Sequence, residues 1–372
     1  MPKSFAPIER KTTMSKITAL LYRMGQSLWL DNITRDLLDS GTLKKYIEEL
    51  SVTGLTSNPT IFNNAIKNST SYDTAVAQKV KEGKSGEELF FELAIEDLAR
   101  AADLFKPIHE RTNGVDGWVS LEVSPKLAYD AQSTLAAAKQ LHAQAGRPNL
   151  FIKIPGTPEG LPAIEEAIFS GVPVNVTLLF SPDHYRAAAA AYLRGIQRRI
   201  EAGLNPAVES VASVFVSRWD GAVAGKTHEE FRNRLGIAMA ERTYKIYRDM
   251  LHSDRWMRLA NHGAHPQRLL WASTGTKDPH APDYLYVKAL ASPNTINTMP
   301  EATLLKFGEH GELGRILSSG GGDSEEVVYN MSRQGVDMEA LAAKLQKEGA
   351  ESFVKSWEEM MSVVAQKAQA LR

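Results

Sequence analysis

Lys153 stands inside an apolar run, Leu-Phe-Ile-Lys-Ile-Pro at residues 150–155. The run has the length of a buried strand and stops at a proline. Side chains alternate along a strand, so Ile152 and Ile154 share one face and Phe151 and Lys153 the other. Lysine is rarely buried without a partner. Burial disfavours the ammonium form, and the neutral amine is a nucleophile toward a carbonyl carbon. An edge strand that lets the lysine reach solvent accounts for these residues equally well, so the decision rests on the other strands.

Polar residues recur on one parity of those strands. Asp31 closes the stretch 27–31, sharing a face with Trp29. Thr56 and Asn58 lie in 54–59, Glu122 in 118–125 between Ser120 and Ser124, Asn175 and Thr177 in 174–180, and Ser213 in 210–217. On five strands the opposite parity is mainly aliphatic. A buried structural ion pair would explain one lysine and one acid, but not a consistent polar face. One lysine, two carboxylates and several small polar groups suit carbonyl chemistry. The amine attacks a ketone, an acid protonates the carbinolamine so that water leaves, and a base removes a hydroxyl proton so that a carbon–carbon bond breaks. The two carboxylates fill both roles only if their environments separate their pKa values.

Positioning these groups requires parallel strands with their C-terminal ends gathered together. The pattern supplies eight strand-like stretches, at 27–31, 54–59, 118–125, 150–155, 174–180, 210–217, 268–273 and 294–299. Helical spacing separates them, at 13–25, 34–50, within the long connection 60–116 (87–105 most clearly), and at 126–145, 161–169, 181–202 and 229–251. Ser181-Pro182-Asp183 reads as a helix start. Two or three helices close the chain, the last at 351–371. Alternation of this kind predicts right-handed crossovers and a (β/α)₈ barrel, with added helices at the N-terminus, after the second strand and at the C-terminus. The expected organisation is a single barrel domain over 1–372, with a loose tail at 1–12 and helices of 301–372 packed on the barrel. A doubly wound open sheet lacks its Gly-x-Gly-x-x-Gly signal here.

The formal net charge of −1 suggests neither nucleic acid nor a strongly charged partner. The absence of cysteine excludes disulfides, thiolate metal sites and a cysteine nucleophile. No apolar run has membrane-spanning length, and residues 1–11 lack a signal-peptide core. The expected location is cytoplasmic. The glycine-rich Ser318–Asp323 run lacks the Gly-Lys-Ser/Thr of a phosphate cradle. His262 and His265 have no evident third ligand for a metal.

Several stretches together resemble the transaldolase family: Leu30-Asp31, Leu55-Thr56-Ser57-Asn58-Pro59-Thr60, Val119 to Pro125, Phe151-Ile152-Lys153-Ile154-Pro155-Gly156-Thr157, Asn175-Val176-Thr177-Leu178-Leu179-Phe180-Ser181, and Ser213 to Arg218. The resemblance implies a barrel enzyme that moves a dihydroxyacetone unit from a ketose phosphate to an aldose phosphate in the non-oxidative pentose phosphate pathway. It implies Lys153 as the Schiff-base lysine, Asp31 as the acid/base at the cleaved bond, and Glu122 with Thr177 as holders of a catalytic water. It implies Thr56, Asn58, Asn175, Ser213 and Phe215 as substrate-binding residues and Arg218 as a phosphate ligand. Better-known members carry a second phosphate arginine after the seventh strand. Here Trp271-Ala272-Ser273-Thr274-Gly275-Thr276-Lys277 stands instead, so Ser273 and Lys277 are the expected substitutes. The resemblance implies no metal, no organic cofactor, sugar phosphates as the only ligands, and a monomer or homodimer. The long 60–116 connection and the C-terminal helices are expected to cover the mouth. A fructose 6-phosphate aldolase and a non-catalytic sugar-phosphate-binding barrel are the alternatives; Glu122 and Phe215 speak against the first, and Lys153 with both acids against the second.

Overall fold

The computed structural model describes residues 15–371. The tail expected at 1–12 and the first two residues of the helix expected at 13–25 lie outside that range. Eight parallel strands close into a barrel in chain order. They are β1 (Gln26–Asp31), β2 (Val52–Thr56), β3 (Trp118–Glu122), β4 (Leu150–Pro155), β5 (Val174–Leu179), β6 (Ser210–Phe215), β7 (Arg268–Ala272) and β8 (Thr295–Met299).

The alternation of each strand divides the core in two. Leu28, Leu30, Val119, Leu121, Ile152, Ile154, Val174 and Val176 pack outward against the helices. Trp29, Trp118 and Phe151 point inward. Trp118 stacks on Phe151 with centroids 4.0 Å apart, and Trp29 lies 6.3 Å from Phe151. These rings plug the lower half of the barrel. Gly54 makes room for them: a Cβ there would come within 2.6 Å of the Trp29 ring and 2.7 Å of the Trp118 carbonyl. The Trp29 indole nitrogen donates to buried Asp116 at 2.8 Å.

Several helices depart from the expected boundaries. The stretch 34–50 is two helices, Arg35–Asp39 and Thr42–Leu50, broken at Gly41, whose φ of +73° suits glycine. The second strand ends at Thr56, because Asn58 caps and Pro59 opens the helix Pro59–Asn68. The connection after β2 holds two more helices, Asp73–Lys81 and Gly86–Arg111. The stretch 126–145 narrows to the helix Ala131–Ala145, capped by Asp130. The stretch 229–251 narrows to Leu235–Leu251, preceded by a short 3₁₀ turn. Short helices at Ser217–Val223, Asp254–Asn261 and Leu285–Ala289 were not among the expected elements.

The largest difference is at the C-terminus. The last helix is Met338–Ala370, 33 residues long, and begins well before 351. Asp337 caps it, accepting from the Ala340 N–H at 3.0 Å. Gly349 sits inside it where a stop would be read from sequence. The glycine serves close approach: a Cβ would come within 2.9 Å of Leu178 Cδ2 and 3.3 Å of Arg218 Nη1. The helix thereby crosses the upper end of the barrel.

Candidate active site

Lys153 is 5% exposed, at the level of Glu122 on β3 and Asn175 on β5. Its Nζ lies 3.2 Å from Glu122 Oε2, an ion pair whose angles fall outside a hydrogen bond, and donates to the Ser57 carbonyl at 3.2 Å. That carbonyl lies just past the end of β2, before the Asn58 cap of the next helix. Among the described residues, neither Glu122 carboxylate oxygen has a hydrogen-bond partner, and neither does the Thr177 hydroxyl, though all three are buried. Burial pushes the Glu122 carboxyl above the ordinary range; the Lys153 ammonium opposes this and Asp31 adds to it.

Asp31 shares the cavity but not the same surroundings. It too is pushed up by burial, and Lys153, a hydrogen bond from Thr56 and the charge of Lys277 pull it back. The Thr56 hydroxyl donates to Asp31 Oδ1 at 2.7 Å. A hydroxyl has one proton, so the 2.7 Å contact between Thr56 and Thr298 runs from Thr298 to Thr56. The two acids beside Lys153 therefore differ: Asp31 has a donor and two lysines favouring its anion, and Glu122 has one lysine.

Ten expected residues line one cavity at the C-terminal ends of the strands: Asp31, Thr56, Asn58, Lys153, Thr177, Ser213, Phe215, Arg218, Ser273 and Lys277. Glu122 and Asn175 stand behind this lining. Asn175 accepts from Ser213 at 2.7 Å and donates to Ser120 at 3.1 Å, so it orders the β3–β5–β6 wall. Asn58 spends its side-chain oxygen on the Ile61 N–H at 3.1 Å, which leaves its amide group for a ligand. Arg218 and Lys277 bring positive charge to the rim, where Ser273 and Ser217 pair through their hydroxyls at 2.8 Å. Burial lowers the Arg218 pKa while Glu348 raises it, and its guanidinium sits 5.4 Å from the Phe215 ring.

Thr298 and Phe353 also line the cavity and were missed in the sequence. Thr298 lies on β8, whose outward parity carries the polar Thr295 and Asn297, so no polar-in pattern is visible there. Phe353 comes from the C-terminal helix, and its ring centroid is 5.6 Å from Lys153 Nζ. Gln346 pins that helix by donating to the Gly156 carbonyl at 3.1 Å and the Leu178 carbonyl at 2.9 Å. A separate cavity at the opposite end, lined by His109, Trp118 and Glu209, contains none of these groups. Among the described residues no cluster of three or more His, Asp or Glu is placed to hold a metal ion, and no helix is long and apolar enough to cross a membrane.

The family described as Transaldolase/Fructose-6-phosphate aldolase matches residues 28–364. A protein named transaldolase from Renibacterium salmoninarum is 43% identical over 360 residues, covering 94% of this chain and 96% of its own. One of the same name from Saccharopolyspora erythraea is 43% identical, covering 95% and 98%. A protein named transaldolase 2 from a Nostoc species is 37% identical over 366 residues, covering 93% and 96%.

Proposed function

The chain belongs to the transaldolase/fructose-6-phosphate aldolase family and is a transaldolase-type transferase, and we propose that it moves a dihydroxyacetone unit between sugar phosphates through a Schiff base on Lys153. Donors are sedoheptulose 7-phosphate or fructose 6-phosphate; acceptors are glyceraldehyde 3-phosphate or erythrose 4-phosphate, as in the non-oxidative pentose phosphate pathway. The observation that carries this reading is Lys153 Nζ, buried and 3.2 Å from Glu122 Oε2, in the cavity that Asp31 lines.

The neutral amine of Lys153 adds to the ketone carbon. The carbinolamine oxygen takes a proton and leaves as water, giving the iminium. Glu122, with its carboxyl held up by burial, suits proton donation, and its unpartnered oxygens with the Thr177 hydroxyl suit that water. Asp31, whose anion is the better stabilised, removes the hydroxyl proton from the carbon next to the cleaved bond. That bond's electrons pass into the iminium to form an enamine, and the aldose phosphate departs. The enamine then attacks the acceptor aldehyde, and the steps run in reverse. Arg218, Lys277 and Ser273 suit the phosphate, and Asn58 and the Asn175–Ser213 pair suit the sugar hydroxyls.

Glu122 and Phe215 favour transfer over plain cleavage. The test is borohydride reduction in the presence of fructose 6-phosphate, followed by peptide mapping, with product formation measured with and without erythrose 4-phosphate. The expected result is a reduced three-carbon adduct on Lys153 and turnover that depends on the acceptor. An adduct elsewhere, or none, removes Lys153 from this role. Turnover indifferent to acceptor makes the protein an aldolase.

A further inference from the structure

Lys277 is exposed at the cavity rim and, among the described residues, has no ion-pair partner. Its neighbour Asp278 is fully engaged. Arg232 grips it as a fork, Nε to Oδ2 at 2.5 Å and Nη2 to Oδ1 at 2.6 Å. Asn233 donates to Oδ2 at 2.6 Å and the His280 N–H to Oδ1 at 2.9 Å. These bonds hold the Asp278 carboxyl well below the usual range, with the Arg232 fork the largest cause. Arg232 is itself steadied by Glu229 at 2.7 Å. The fork joins the connection after β6 to the loop after β7. On the other side of Lys277, the Thr276 hydroxyl donates to the Pro282 carbonyl at 2.8 Å and accepts from the Leu285 N–H at 3.3 Å.

Lys277 also borders a second cavity, lined by Asp220, Phe231, Arg232 and Tyr286. A loosened loop therefore has somewhere to carry the lysine away from Arg218 and Ser273. An unengaged Asp278 would moreover sit beside Lys277 as a competing anion. Arg232 is 42% exposed and Asp278 10%, so solvent screens the arginine's side of the pair. The bidentate geometry of the pair fixes direction.

We propose that Arg232, acting through Asp278, is the positioning residue that keeps Lys277 turned into the phosphate end of the catalytic pocket. This rests on the reading of Lys277 as a phosphate ligand. The test compares Arg232→Met, Arg232→Lys and Lys277→Met by steady-state kinetics with fructose 6-phosphate and by inhibition with inorganic phosphate. Arg232→Met is expected to raise KM and the phosphate Ki by about 5- to 10-fold, with kcat held within about twofold. Arg232→Lys should fall between, because an ammonium supplies charge without the fork. Arg232→Met indistinguishable from the parent, while Lys277→Met raises KM and Ki, overturns the proposal and leaves the phosphate reading standing. No change in Lys277→Met overturns the phosphate reading, and the proposal with it. The Lys153 adduct is an independent check on the reaction itself.

Discussion

Thr298 donates a hydrogen bond to Thr56, and Thr56 donates its own to Asp31, each proton staying on its hydroxyl. This relay favours the Asp31 anion against the burial that disfavours it. Removing it raises the carboxyl pKa, and in the proposed reaction, where Asp31 must be ionised to act as the base, activity then requires a higher pH. Thr56→Val is expected to move the acid-side limb of the kcat/KM–pH profile upward by about 0.5–1 unit. A limb that stays in place or moves down would show that Thr56 does not tune this group. Most of this site was legible from alternation alone, because Asp31, Glu122, Lys153, Asn175 and Ser213 break aliphatic strands on a shared parity. Thr298 was not. Its strand places Thr295 between the buried Gln26 amide, which donates to it, and the Ser292 hydroxyl, and Asn297 against Thr274, on the outward side, so polarity does not mark the lumen there.

The C-terminal helix contributes through its placement, far from Lys153 in sequence. It rests on β5 where Leu178 adopts a φ of +59°, a costly conformation for a branched side chain. The pairing of β5 with β6 shifts register there, between Val176 and Leu179. Gln346 holds the Leu178 carbonyl that this geometry presents, and one turn beyond Gly349 the helix delivers Phe353 over the lysine. In the proposed reaction, an apolar ring at that point would keep water from the covalent intermediate. Phe353→Ala is expected to raise release of free dihydroxyacetone relative to transfer product by about 3- to 10-fold, with a melting temperature that shows the fold retained. An unchanged ratio would mean that water is excluded by other groups. The apolar stripe around Phe353 was readable; the helix's early start was not, because Gly349 mimics a terminus and the reason for it is a contact with distant Leu178 and Arg218.

The whole molecule follows from a period of two inside a larger alternation of strand and helix, which is why strand order and barrel closure were foreseeable. Loop geometry was not, since it depends on partners far along the chain. One such contact lies outside the site. The glycine-rich turn before the helix Ser324–Arg333 packs on Glu241 so tightly that a Cβ at Gly322 would come 2.5 Å from Oε1. Glu241 is pushed up to about 7, by burial first and then by Asp323, with Arg234 opposing. An unfolded glutamate ionises near 4.5, so between about 4.5 and 7 the folded chain holds the extra proton and this group's contribution to stability falls as pH rises, flattening above 7. Glu241→Gln should therefore gain about 1–3 °C in melting temperature over the parent between pH 5 and pH 8. A constant offset between the two would remove Glu241 as the source. The aromatic plug of Trp29, Trp118 and Phe151 has a different kind of consequence. It makes the barrel a cup with a single doorway, so in the proposed reaction the first aldose phosphate must walk out before the second can walk in. A waiting line of that kind appears as parallel reciprocal plots when one sugar is varied at fixed levels of the other.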